Sequence, residues 1–146
     1  MLLGPMPKTV EKSITINASA SKVWDVLTNP AIVPEWVRLW WPSIVSVKSD
    51  WKVANTIVWK TREGIGAEGE VLAVRRNRML EYTFDVKGNP KEQTIVYTLE
   101  EKPKQTLLQI SIGSFGDSAD ERVCYQGAVE SWEKSLPKIK ELAEKL

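Results

Sequence analysis

Residues 79–112 read MLEYTFDVKGNPKEQTIVYTLEEKPKQTLLQISI. Within Met79–Val86, Leu80, Tyr82, Phe84 and Val86 alternate with Glu81, Thr83 and Asp85, the period of two that a half-buried strand requires. Lys87-Gly88-Asn89-Pro90 has the residue types of a turn. Glu92–Glu100 resumes the alternation with Ile95, Tyr97 and Leu99 on one side. Pro103-Lys104 then turns the chain into Thr106–Ile112, where Leu108, Ile110 and Ile112 share a face. Connections this short join antiparallel neighbours, because a parallel crossover needs a dozen residues or more.

Upstream the strand pattern continues. Asn55–Arg62 puts Ile57 and Trp59 on one face, and Gly66–Val74 follows, closed by a turn at Arg75-Arg76-Asn77. Gly64-Ile65-Gly66-Ala67-Glu68-Gly69 is rich in glycine but does not stand between a strand and a helix, so it reads as a turn and not as a phosphate loop. Ile44–Val47 is a short strand, and Trp40-Trp41-Pro42 a loop. At the start, Lys8–Asn17 alternates with Val10, Ile14 and Ile16 on one side. Ser19 is placed to cap a helix over Ser21–Thr28, whose Val23, Trp24, Val26 and Leu27 fall at helical spacing. Asn29-Pro30 ends that helix and is expected to begin a second, with Asn29 as its cap, Pro30 at its first position and Pro34 keeping it short.

Downstream, Gly113–Ser118 closes the strand region and Ala119–Leu146 is a long amphipathic helix. Its stripe is Tyr125, Ala128, Val129, Trp132, Leu136, Ile139, Ala143 and Leu146, with glutamate and lysine opposite. Pro137 predicts a kink near Glu133, since it removes one backbone hydrogen bond. The expected fold is α+β of the helix-grip kind. A curved antiparallel sheet of about six to seven strands wraps around the long C-terminal helix, and two short helices follow the first strand. Such a wrap leaves space between sheet and helix, at the end where short helices and loops form a mouth.

Composition narrows the function. The 146 residues suit one domain, expected over 8–146 behind a loose leader at 1–7, with Met6 as an alternative start. With 20 basic and 19 acidic side chains interspersed, the chain has no charged block of the kind that nucleic acid or an anionic membrane selects. Its apolar runs fall short of the ~20 residues of a membrane span. The start lacks the features of a signal peptide. A single cysteine, Cys124, excludes an internal disulfide and fits a reducing compartment, so a cytoplasmic location is expected. Histidine is absent, which removes the commonest general base and the commonest metal ligand. No cofactor or metal is expected, and the oligomeric state is expected to be a monomer or weak dimer.

The order of several short motifs identifies a family. Val10-Glu-Lys-Ser-Ile-Thr-Ile-Asn-Ala-Ser19, Val23-Trp24-Asp-Val-Leu-Thr-Asn-Pro30 and Glu35-Trp36 resemble the START-like, or SRPBCC, superfamily. Gly69-Glu-Val-Leu72, Leu80-Glu-Tyr-Thr-Phe84, and Gly127 followed by Trp132 and Leu136 are similar to the bacterial homologues of the heat-shock-protein-90 ATPase activator's C-terminal domain. The resemblance spans essentially the whole chain. It departs at Lys52-Val53-Ala54-Asn55, where members often carry glycines, and at Pro137. Its members include lipid and polyketide binders, cyclase-like enzymes, oxygenase ligand domains and co-chaperones, so fold alone does not name the function.

Seven tryptophans are present, four of them between Trp36 and Trp51. Side chains this large line a core or a pocket. Trp36, Trp40 and Trp41 are expected at a pocket mouth. Trp59, Tyr82, Phe84, Tyr97 and Ile112 are expected on its sheet wall, and Tyr125, Ala128 and Trp132 on its helix wall. Tyr82 and Tyr97 face inward by strand parity and need hydrogen-bond partners. Glu81 and Asp85 fall on the polar face, away from the cavity, and Arg75, Arg76 and Arg78 are explained by a hairpin tip in water. The leading expectation is binding of a hydrophobic small molecule: a lipid, an isoprenoid or an aromatic polyketide-like compound. A co-chaperone-like or adaptor module acting through its outer surface with a protein partner is the alternative, and it predicts a filled interior. A cyclase- or hydrolase-like enzyme using a pocket tyrosine or carboxylate ranks last, for want of a visible nucleophile and base.

Overall fold

Alternating side chains between residues 79 and 112 build the centre of a seven-stranded antiparallel sheet. The computed structural model describes residues 8–146; the leader expected at 1–7 lies outside the described residues. The elements are β1 (Lys8–Ile16), α1 (Ala20–Thr28), α2 (Val33–Val37), β2 (Ile44–Lys48), β3 (Thr56–Thr61), β4 (Gly64–Arg75), β5 (Met79–Val86), β6 (Gln93–Lys102), β7 (Gln105–Phe115) and α3 (Ala119–Lys145). Strands β2 to β7 run as a meander, and β1 joins at the β7 edge to give the order β1-β7-β6-β5-β4-β3-β2. The segment holding α1 and α2 therefore carries the chain from one edge of the sheet to the other. The architecture is the expected helix-grip, with the sheet curved around α3.

Register puts the aromatic residues together. On the inner face Leu80 lies opposite Tyr97, Tyr82 opposite Ile95, and Phe84 opposite Gln93. Across the next pair Ile95 meets Ile112, Tyr97 meets Ile110, and Leu99 meets Leu108. Pairing irregularities interrupt β1, β2, β3 and β4. Such irregularities bend strands and increase their twist, which lets one sheet curl round one helix. Helix α3 packs on β1, β7, α1 and α2, and buries Trp132, Ser135, Leu136, Ile139 and Ala143. Its start is fixed by Ser118, whose hydroxyl accepts from the Glu121 amide at 3.1 Å, while the Glu121 carboxylate accepts from the Gly116 amide.

Three details differ from expectation. The second helix begins at Val33, not Pro30. Asn29 instead holds a turn, its side chain accepting from the Ala31 amide and its carbonyl from the Ile32 amide, and Pro34 lies in the first turn of α2. A proline suits a helix's first turn, so Pro34 starts this helix instead of limiting it. The glycine-rich run is not a turn: residues 64 to 69 are the first half of β4. Glycine there has a packing cause. A Cβ on Gly66 would strike the Trp41 ring, and one on Gly69 would run into the Thr83 carbonyl of the neighbouring strand. Leu146, expected on the buried stripe of α3, is 48% exposed.

Candidate functional site

The inner face of the sheet and α3 enclose a cavity of about 310 Å³, within the range of small-molecule sites. The sheet supplies Trp59, Tyr82, Phe84, Val86, Ile95, Tyr97 and Ile112. Helix α3 supplies Cys124, Ala128, Ser131 and Trp132, which recur at three- and four-residue spacing and so share one face. Helix α2 and the loop after it add Trp36, Val37 and Trp40. Asn89, Val123 and Gly127 also line the space and are themselves exposed, Val123 at 72%. The way in therefore lies between the β5–β6 turn and the first half of α3.

A chain of aromatic contacts sets the shape of the walls. Trp59 meets Phe84 edge-on at 4.7 Å and tilts against Tyr82 at 5.6 Å. Tyr97 presents its face or edge to Trp132 at 5.8 Å, and Trp132 lies 6.0 Å from Trp36. Trp36 is 3% exposed, with its indole Nε1 donating to the Val26 carbonyl at 2.9 Å. It is thus an anchored wall residue and not part of the mouth. Trp51 closes a flank: its Nε1 donates to the Thr28 carbonyl at 2.9 Å, and its ring lies 6.0 Å from Tyr82.

Two residues expected at the cavity stand outside it. Trp41 stacks behind Trp40 at 5.6 Å and packs over Gly66, so it supports the wall without reaching the space. Tyr125 sits one residue round the helix from Cys124, about 100° away. Its ring meets Phe115 edge-on at 5.6 Å, with the Lys8 ammonium 5.6 Å from its centre. Other residues were not anticipated. Gln93 lies two positions before Ile95, so strand parity alone places it inward. Phe115 lies beyond the expected end of the last strand. Cys124 and Ser131 follow from Ala128 by helical spacing.

Polar groups in the cavity are few. Tyr82 and Tyr97, diagonal neighbours on β5 and β6, hydrogen-bond to each other through their hydroxyls at 2.8 Å. The Ser131 hydroxyl donates to the Gly127 carbonyl at 2.7 Å. Among the described residues no Lys, Arg, Asp or Glu lines the space. Burial pushes both phenols well above the ordinary tyrosine value. The hydrogen bond from Tyr97 partly offsets this at Tyr82, while the neighbouring Tyr82 adds to it at Tyr97. Neither is a tyrosinate base at neutral pH. Burial, then Asp120 and Glu121, raise the Cys124 thiol, which makes it a poor nucleophile. Among the described residues no cluster of His, Cys, Asp and Glu is placed to hold a metal ion.

The tyrosine pair has a consequence for stability. The folded chain keeps two protons that the unfolded chain releases near pH 10. Stabilisation is therefore complete below that value and declines as pH climbs beyond it toward the raised folded values. Chemical unfolding followed between pH 8 and pH 11 should show the fall. The double variant Tyr82→Phe, Tyr97→Phe should show a shallower one; an equal slope in both proteins would contradict the assignment.

Comparison with known proteins agrees with this architecture. The family model described as Activator of Hsp90 ATPase homolog 1-like protein matches residues 17–144. The crystal structure of protein MLL2253 from Mesorhizobium loti is 25% identical, with a TM-score of 0.79 over 94% of this chain and 98% of that one. The solution structure of the Aha1 dimer from Colwellia psychrerythraea is 17% identical, with a TM-score of 0.74 over 94% and 96%. The HSP90 activator PFC0360w from Plasmodium falciparum is 13% identical, with a TM-score of 0.69 over 92% and 94%. No curated protein matches the chain.

Proposed function

We propose that this chain, which belongs to the family of Activator of Hsp90 ATPase homolog 1-like proteins, binds a hydrophobic small molecule between its sheet and its C-terminal helix. The supporting observation is the cavity of about 310 Å³ itself, walled by tryptophan, tyrosine, phenylalanine and isoleucine. A protein acting through its outer surface alone has no need of such a space. Burying 200–300 Å² of apolar ligand surface supplies roughly 5–8 kcal/mol before association costs. Lipid, isoprenoid and aromatic polyketide-like compounds are the ligand classes that such walls accept. The raised phenols and the exposed Asp85 favour binding over acid–base chemistry. No helix among the described residues is long and apolar enough to cross a membrane. We place the protein in the cytoplasm, a compartment that suits its single thiol.

Titration of ¹⁵N-labelled protein with tetralin, an uncharged bicyclic hydrocarbon, tests the proposal. The indole N–H signals of Trp36, Trp59 and Trp132 and the Ala128 amide should shift together and saturate at one equivalent per chain. Shifts that are absent, or that never saturate, would remove the basis for a ligand-binding function.

A further inference from the structure

The cavity carries a buried polar group that its own walls leave without a partner. Gln93, the first residue of β6, lies opposite Phe84 and shares the inner face with Ile95 and Tyr97. It is 4% exposed and lines the cavity. Its Nε2 is buried and has no hydrogen-bond partner among the described residues. A buried amide donor without an acceptor costs free energy, and such groups are rare in folded proteins. The other polar side chains nearby do not relieve it: Ser131 and the Tyr82–Tyr97 pair keep lone pairs, but none of their oxygens lies within hydrogen-bond reach of Gln93 Nε2. That tyrosine pair holds two hydroxyl protons and uses one, so it also has one O–H left to donate.

We propose that the ligand is an uncharged apolar molecule bearing a carbonyl oxygen, as in a ketone, quinone or ester, and that Gln93 Nε2 donates its hydrogen bond to that oxygen. This rests on the cavity being a ligand site, and it narrows the ligand chemistry there. The absence of charged side chains from the lining among the described residues argues in the same direction. A free carboxylate entering this space would lose its hydration and meet no cation, which disfavours an ionised fatty acid. A carbonyl needs only a donor. Gln93 stands at the end of the sheet next to the β5–β6 turn, near the way in, so the carbonyl end of the ligand faces the entrance while its hydrocarbon body lies against Trp59, Tyr97 and Trp132.

Three probes of nearly the same shape test this: tetralin, α-tetralone and α-tetralol. The ketone should bind about 5–10-fold more tightly than the hydrocarbon, the effect of satisfying one buried donor. The Gln93 side-chain N–H₂ proton signal should move downfield with the ketone and not with tetralin. In Gln93→Leu the ketone's advantage should disappear while tetralin binds at least as well. Equal affinity of ketone and hydrocarbon for the wild-type chain, with no Gln93 shift, would overturn the carbonyl assignment and leave the cavity function standing. A preference for the alcohol over the ketone would overturn it too, because a carboxamide turned by 180° presents its oxygen and selects a donor. If none of the three binds, the proposed function fails with it. The wild-type comparison requires no variant, so a misfolded Gln93→Leu does not decide the outcome.

Discussion

Trp132→Ala should lower the free energy of unfolding by about 3–5 kcal/mol, the usual cost of truncating a buried aromatic. In a chain of this size that corresponds to a Tm lower by roughly 10 °C or more. Trp132 is 6% exposed and is the point where α3 meets both the sheet and α2. Its ring touches Tyr97 edge-on at 5.8 Å and Trp36 at 6.0 Å. Because Trp132 already borders the cavity, alanine would leave a larger continuous void that neighbouring rings, fixed by their own contacts, cannot fill. An apolar ligand should therefore stabilise the variant more than it stabilises the wild type, by binding only the folded chain and occupying the void. Urea unfolding with and without tetralin measures both effects. A loss below about 1 kcal/mol would mean that Trp132 does not hold helix to sheet.

Ala128→Trp should have the opposite profile, with binding lost and the fold kept. Ala128 stands on the helix wall, half-buried, with its methyl group toward the space between Trp132 and Cys124. An indole at that position enters the cavity and takes up much of its volume. The helix itself loses at most about 0.7 kcal/mol through the lower helix propensity of tryptophan. Tetralin affinity should fall by at least about 100-fold, while stability stays within about 1 kcal/mol of the wild type. Undiminished binding in this variant would place the ligand elsewhere on the molecule. The contrast between the two variants separates the role of the aromatic walls in folding from the role of the space they leave.

The central strands were legible because each alternates large apolar and polar side chains, and one face of such a strand has to be buried. Tyr82, Phe84 and Tyr97 were placed inward by that rule alone, and Leu108, Ile110 and Ile112 likewise. The start of β4 was only partly legible: the strand was read from Gly66 to Val74, yet the glycines at its beginning also read as a turn. Glycines carry no hydropathy pattern, and what requires them, the Trp41 ring over Gly66 and the Thr83 carbonyl beside Gly69, comes from distant parts of the chain. Helix α2 was displaced because Pro30 and Pro34 are both acceptable at a helix start, and the choice is made by the turn that Asn29 holds.

The cavity was legible in its aromatic content and less so in its limits. Tyr125 and Ala128 both belong to the apolar stripe of α3, yet the stripe is wide enough that one border faces Phe115 and the other the cavity. Trp41 and Trp40 are adjacent in a loop, where no periodicity says which ring points inward. Gln93 had a clear signal in its parity with Ile95 and Tyr97. A glutamine at the start of a strand ordinarily faces water, and only the three-dimensional fold shows that this one is enclosed.

Native mass spectrometry of the protein purified from its own host, set against its denatured mass, tests ligand carriage most directly. A bound hydrophobic compound predicts an excess mass that vanishes on denaturation, with the released molecule uncharged and carbonyl-bearing. A bare native mass, unchanged after incubation with lipid and aromatic extracts, would contradict it.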